Sequence, residues 1–183
     1  MTKAELRAWA SQRRREVPDA SSALTAHLAD WLEASGARTV LAYRALPSEP
    51  DVSELSSAFE LLTTRTIWAP RRALTVHVWS SATERDRFGI LQPPLGTPDL
   101  PKSAADVVLV PGLAFDRRGG RLGTGGGFYD RLLAGWDVPT VGVTWTELLV
   151  DEVPLEPHDV RVRFVATQDG VFDCERAFAR VVC

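Results

Sequence analysis

Cysteine is almost missing from this sequence, with only Cys174 and Cys183 among 183 residues. Two thiols can neither build a disulfide framework nor, by themselves, complete a zinc site, so a reducing cytoplasm is the expected compartment. Long apolar runs are lacking as well. The longest, such as 107–110, fall far short of the ~20 residues that cross a bilayer, and the charged stretch up to Arg15 contains no apolar signal core. Positive charge is not in excess either. A formal net charge of -3 and a pI near 5.6 exclude a general nucleic-acid binder. Neither nucleic acid nor membrane is therefore an expected partner. Of the 21 basic residues only Lys3 and Lys102 are lysine, a mark of genome composition rather than of function. Internal repeats and low-complexity tails are absent.

What is present suits one soluble domain over residues 1–183. At roughly 100–200 residues per domain the chain is long enough to bury a real core, and its 45% hydrophobic and 25% charged residues are ordinary for a globular fold. Thr2 and Glu5 fit a capping box, and Leu6, Trp9, Ala10 and Arg13 follow at helical spacing, which predicts a helix to about Arg15. At ~100° per residue Lys3, Arg7 and Arg14 share a narrow polar sector beside that stripe. A second helix is expected after Pro18, with Leu24, Leu28, Trp31 and Leu32 buried and a stop at Gly36. From Thr39 on, short β-branched runs at 39–43, 66–69, 75–79, 107–110, 140–143 and 162–166 alternate with helical stretches. The alternation predicts an α/β fold: an open, mostly parallel sheet with helices on both faces. The unbroken apolar run 107–110 reads as a central strand covered on both sides. Residues 55–62 and 129–136 are the expected crossover helices, and 91–102, with four prolines, a surface connection.

Residues 111–131 hold a glycine-rich stretch too long for an ordinary loop. Gly123, Gly125, Gly126 and Gly127 allow positive φ and gather N–H groups at a helix start, an arrangement suited to phosphate, with Arg121 adding a fork-shaped cation. A flexible surface loop entering a helix is the plainer alternative. The phosphate loop of nucleoside triphosphatases is excluded, because Phe128 and Tyr129 stand where it needs Lys and Ser or Thr. The dinucleotide fingerprint would need a small residue at Phe128 and a tight turn after the strand, although Glu147 lies at a tolerable distance. Lys3 and Arg7, roughly 6 Å apart along a helix axis, can reach one triphosphate or simply form a solvated face. Glu49 can accept N–H bonds or be a loop acid. Asp130 can complement a helix dipole, Tyr129 can anchor the helix entry, and Arg14 is taken as surface. His77 and His158 read as structural, since no histidine or cysteine cluster has metal-ligand spacing.

Two blocks, Val110-Pro-Gly-Leu-Ala-Phe-Asp116 and Gly120-Arg-Leu-Gly-Thr-Gly-Gly-Gly-Phe-Tyr-Asp-Arg131, resemble the signature of the 5-formyltetrahydrofolate cyclo-ligase family, also called 5,10-methenyltetrahydrofolate synthetase. The resemblance extends to Lys3 through Arg7, to Tyr43 with Pro47, Glu49 and Asp51, to Ala69 through Arg71, to Gly89 through Pro93, and to Pro154 with His158 and Asp159. Phe128, Thr124 and Gln92 depart from the commoner family residues. Residues 172–183 look like a carboxyl-terminal extension. The resemblance implies a three-layer sheet like that of sugar-phosphate isomerases and CoA-transferases. It also implies ATP-dependent conversion of 5-formyltetrahydrofolate to 5,10-methenyltetrahydrofolate, with ADP and phosphate released, by a monomer using magnesium. Carried over residue by residue, it implies ATP contacts from Lys3, Arg7, Arg121, Leu122, Gly123, Thr124, Gly125, Gly126, Gly127, Phe128 and Tyr129. Folate would meet Arg7, Glu49, Thr124, Gly125 and Phe128. Arg121 and Tyr129 would be catalytic, and Asp130 and Asp159 would hold the metal. Two rivals stay open: a binding module without turnover, and an isomerase or transferase relative that uses no ATP.

Overall fold

The computed structural model describes residues 1–175. Helix α1 (Lys3–Arg13) starts on the expected capping box: the Thr2 amide donates to Glu5 Oε2 at 2.7 Å and the Glu5 amide to Thr2 Oγ1 at 3.3 Å. Helix α2 (Ser21–Ser35) ends at Gly36, whose φ of 76° is the left-handed stop that glycine permits. Seven strands form the main sheet: β1 (Thr39–Leu41), β2 (Glu60–Ile67), β3 (Ala73–Val78), β4 (Val107–Pro111), β5 (Thr140–Val143), β6 (Phe164–Thr167) and β7 (Gly170–Asp173). Their order is β7-β6-β5-β4-β1-β2-β3. Every internal pairing from β6 to β2 is parallel, and the two edges, β7 on β6 and β3 on β2, are antiparallel.

The core lies on both faces of this sheet, which is why β4 shows no alternation. Val107 and Leu109 meet Leu24, Leu28 and Leu32 of α2, joined by Leu6 and Ala10 of α1. Val108 and Val110 face the other way, onto Leu132, Leu133 and Val138. Among the described residues the one α-helix packed on that second face is the six-residue α3 (Phe128–Leu133). Helices are thus fewer than the expected pair of full layers. Phe115, fully buried, closes the layer by lying against Gly112 and Gly142, where no Cβ would fit.

Several expected elements differ. Residues 55–62 are not a crossover helix: one 3-10 turn, Ser53–Ser57, leads directly into β2. The β-branched run after Glu60 finds backbone partners on β1, in the register Thr39↔Glu60 to Leu41↔Leu62, and tertiary pairing overrides the helical spacing of Leu55 and Phe59. The strand expected at 66–69 is therefore only the end of β2. The helix expected over 129–136 stops at Leu133 because Gly135 turns left-handed, at φ 64°. Trp9, placed on the apolar stripe of α1, is 37% exposed. Trp31 is half-buried and packs on Phe164, with ring centroids 4.8 Å apart. The proline-rich connection is pinned rather than free: Leu100 bridges to Val76, and Leu91–Gln92 pairs with Glu84–Arg85. Phe172 and Asp173 form part of β7, opposite Val165 and Phe164, whereas the rest of the expected extension beyond residue 175 lies outside the described residues. No described helix is long and apolar enough to cross a membrane.

Candidate active site

The chain leaves β1 toward β2 on one side and β4 toward β5 on the other, so the β1–β4 pair is the switch point of the sheet. Such a point opens a crevice beyond the carboxyl ends of the strands. A cavity of about 660 Å³ lies there, lined by Tyr43 and Arg44 after β1 and by Pro111 and Gly112 after β4. Alternate residues of β2 and its exit, Thr64, Thr66 and Trp68, form one wall, and the glycine loop with Phe128 and Tyr129 forms the facing one. Nearly every residue singled out from the sequence lines this cavity: Lys3, Arg7, Glu49, Arg121, Leu122, Gly123, Thr124, Gly125, Gly126, Gly127, Phe128, Tyr129, Asp130 and Asp159.

The glycine loop is a shaped wall. Gly125 and Gly127 adopt φ of 97° and 64°, which favours residues without a Cβ, and Arg7 Nε donates to the Gly123 carbonyl at 3.0 Å, tying α1 to the loop. Below it Arg121 is 8% exposed and pairs through Nη2 with Asp130 Oδ1 at 2.8 Å, while its Nε is buried without a hydrogen-bond partner. The Val160 amide also donates to Asp130 Oδ1, at 3.2 Å, bringing the segment that carries Asp159 beside Asp130. Asp116, fully buried, accepts from the amides of Arg118, Gly120 and Val153, and so fixes the stem of the loop.

Lys3 is not a free cation. Its Nζ lies 2.5 Å from Asp159 Oδ2 and 3.0 Å from Glu156 Oε2. Partial burial would lower its pKa, yet the bonds to Asp159 and Glu156 raise it. Burial likewise pushes the Asp159 carboxyl up, but the Lys3 bond, the Glu156 amide and the Lys3 charge together hold it below the ordinary range. His158, expected to be structural, stands 70% exposed on the rim, and its donors with those of Glu156 and Asp159 lie within 4.8 Å of one another. His77 is buried between Thr75 and the Pro98 carbonyl, as a structural histidine should be.

At the other end Glu49 sits in a turn pinned from two sides. Tyr43 donates to the Pro50 carbonyl at 2.6 Å and Trp145 to the Ser48 carbonyl at 3.2 Å. Its carboxylate accepts from the Leu46 amide at 3.0 Å and from Arg14 Nη1 at 3.1 Å. Arg14 is therefore not a surface residue: its side chain is 12% exposed against 11% for Glu49. Burial raises the Glu49 pKa, with the Leu46 amide and the Arg14 charge opposing it. Burial, and then Glu49, drive the Tyr129 hydroxyl well above its usual value, so at neutral pH it is a donor and not a base.

Sequence reasoning missed Arg44, Thr64, Thr66, Trp68, Arg72, Phe88 and Glu156, all lining the cavity. A signal existed for three of them, since Thr64, Thr66 and Trp68 recur with period 2 along β2 and its exit. Arg44, stacked on Trp79 with its Cζ 3.2 Å from the ring centroid, had none.

Sheet and cavity together define an α/β protein with a crevice at its switch point, walled by a glycine loop and lined by Arg7, Arg44 and Arg121. The family described as the 5-formyltetrahydrofolate cyclo-ligase family matches residues 2–168. The 5-formyltetrahydrofolate cyclo-ligase of Mycolicibacterium smegmatis is 38% identical over 184 residues, spanning 91% of this chain and 93% of that protein. That of Escherichia coli is 40% identical over 92 residues, 48% of this chain and 50% of its own length. Among solved structures, the 5,10-methenyltetrahydrofolate synthetase of Aquifex aeolicus superposes with a TM-score of 0.79 at 26% identity, covering 95% of this chain and 93% of that one. The synthetase of Mycoplasma pneumoniae shares the fold, with a TM-score of 0.72 at 18% identity over 90% of this chain and 98% of its own. The chain belongs to the 5-formyltetrahydrofolate cyclo-ligase family.

Proposed function

We propose that this protein closes 5-formyltetrahydrofolate to 5,10-methenyltetrahydrofolate with the conversion of ATP to ADP and phosphate. This reading is carried by Arg121, a buried guanidinium under the glycine loop that Asp130 engages through Nη2 alone and whose Nε has no partner. An unmet buried donor of this kind is costly, and a phosphoryl oxygen is the acceptor it suits.

The chemistry explains the nucleotide. An N-formyl oxygen leaves poorly, so attack by the neighbouring anilinic nitrogen N10 would stall at a carbinolamine. Transfer of the γ-phosphoryl group to that oxygen lets phosphate depart with it, N10 loses its proton, and the N5–C–N10 bridge forms. The site must therefore hold both substrates in line and exclude water. We assign the phosphates to Arg7, Arg121 and the loop from Leu122 to Tyr129, and the pterin to Glu49, whose fixed carboxylate accepts N–H bonds from an amino-pyrimidinone edge. Tyr129, kept protonated, donates toward the formyl group. Thr124, Gly125 and Phe128 stand where both ligands meet. Lys3 exchanges Asp159 for the triphosphate when ATP arrives.

Asp130 and Asp159 fit magnesium as hard oxygen donors, since the hydrogen bonds of each fall on one oxygen, Oδ1 of Asp130 and Oδ2 of Asp159. When bound, the ion supplies charge neutralisation for the phosphates. The architectural likeness to sugar-phosphate isomerases and CoA-transferases does not extend to ATP use, which separates the readings. Two cysteines suit a reducing cytoplasm, and we take the protein to act as a monomer. Purified protein with 5-formyltetrahydrofolate and Mg-ATP should generate the near-ultraviolet absorbance of the methenyl product. Formation of that product at the same rate without ATP refutes the reading.

A further inference from the structure

The two carboxylates assigned to the metal each already face a cation, Asp130 that of Arg121 and Asp159 that of Lys3. These cations differ in kind. Arg121 is held beneath the glycine loop, whereas Lys3 starts α1, where the capping box fixes the first turn and the buried Leu6 and Ala10 seat the helix. From there its Nζ reaches Asp159 Oδ2 and Glu156 Oε2 together, at 2.5 and 3.0 Å. His158 Nε2 stands 3.5 Å from Glu156 Oε2 and 3.8 Å from Asp159 Oδ1, so one donor atom from each of these three residues lies within 4.8 Å of the others. Donors gathered in this way suit a cation, and here the chain supplies its own. Of 21 basic residues only two are lysine, and one of them stands at this place. Arginine would grip a carboxylate through its two-pronged fork, whereas an ammonium on a flexible stem is a point charge that turns readily to another acceptor.

Resting on the reading above, in which Asp159 serves the metal and Lys3 the triphosphate, we propose that Lys3 is a built-in counter-ion that shuts the Asp159 end of the site to free divalent cations. The ion then enters only together with a triphosphate that draws Lys3 away. A divalent ion on Asp159 would lie within about 4 Å of Nζ, in a crevice where water screens poorly, so the two positive charges exclude each other. The side chains of Lys3 and Asp159 are only 17% and 12% exposed. A triphosphate reverses the balance. Lys3 and the glycine loop line one cavity, so phosphate oxygens held by the loop come within reach of Nζ. Once Lys3 has turned to them, Asp159 is left with a negative charge that the incoming ion neutralises.

Mn2+ is the probe, because the electron paramagnetic resonance signal of the free ion reports its binding without substrate or turnover. In the absence of nucleotide, Lys3→Met should bind Mn2+ about tenfold or more tightly than the wild-type protein does. Adding Asp159→Asn to Lys3→Met should return the affinity to the wild-type value, and so should Lys3→Arg, which restores the charge at the same position. Equal Mn2+ affinity in wild type and Lys3→Met overturns the proposal, as does a gain that survives Asp159→Asn or appears equally in Lys3→Arg. The order of entry is read from the wild-type rate. Once all ATP is chelated, further Mg2+ should change that rate by less than about twofold, and a continued several-fold rise would mean that the ion enters alone. Absence of turnover with 5-formyltetrahydrofolate and Mg-ATP would overturn the cyclo-ligase reading while leaving the Mn2+ result standing, so the two failures are told apart.

Discussion

Removing Arg14 should expose how Glu49 is held in readiness. In Arg14→Met the stem keeps its volume and helix propensity, but Glu49 loses a charged partner at 3.1 Å and keeps only the Leu46 amide at 3.0 Å. Hydrogen bonds to charged groups are worth about 1.5–3 kcal/mol net. With both side chains about one-eighth exposed, the full cost of a broken buried pair, about 3–5 kcal/mol, is an upper bound. At about 2–4 °C per kcal/mol for a domain of this size, the thermal midpoint at pH 8 should fall by about 3–12 °C. The pH dependence carries the stronger test. Burial already raises the Glu49 pKa above its ordinary 4.5, so the folded protein binds more protons than the unfolded chain, and stability from this group is lost as pH rises through the raised value. Without Arg14 that value climbs further and the loss grows. The remaining neighbours stay silent, since burial keeps the hydroxyls of Tyr43 and Tyr129 neutral over this range. The gap between wild type and variant should therefore be widest at pH 8, shrink toward pH 5, and close below about 4.5, where Glu49 is protonated in both states. Differential scanning calorimetry across that range measures it, with Arg14→Lys recovering part of the gap. A gap independent of pH would mean that Arg14 acts through packing alone.

Gly142→Ala should cost about 3 kcal/mol or more, because its Cβ would lie 2.3 Å from Cε1 of the immobile Phe115; a midpoint lowered by less than about 3 °C would show that this layer yields. Asp130→Asn keeps an oxygen acceptor for Arg121 and Val160 but removes the counter-charge of a buried guanidinium, so the midpoint should fall by about 3–12 °C while kcat falls about 100-fold or more; unchanged turnover at limiting magnesium would reduce Asp130 to a structural partner of Arg121. Lys3→Gln with Arg7→Gln should raise the KM for ATP about tenfold or more. Because Lys3 neutralises Asp159 and Glu156, the midpoint should also drop by about 1–4 °C, and unaltered ATP kinetics would leave these residues merely structural.

Local chemistry was legible from sequence wherever short-range physics decides the outcome. The capping box at Thr2 and Glu5, the glycine stop at Gly36 and the unbroken apolar run of β4 all stand as read, since each depends on neighbours within a few residues or on burial from both sides. The glycine loop was legible in part for the same reason, since positive φ is a local demand that Gly125 and Gly127 meet, whereas Gly123 and Gly126 keep ordinary φ. Residues 55–62 could not be read this way: their spacing suits a helix, yet they form the end of a 3-10 turn and then, from Glu60, a strand that exists only through pairing with β1, some twenty residues earlier. Arg14 was visible on the stripe of Lys3 and Arg7, but its role depended on a turn 35 residues away that carries Glu49 into the same pocket. The pairing of Lys3 with Asp159, across 156 positions, is likewise a product of sheet order. Strand order at the switch point sets which distant charges share a low-dielectric crevice. Sequence spacing carries no term for it, and so the residue types were set along the chain while their partners were decided by the fold.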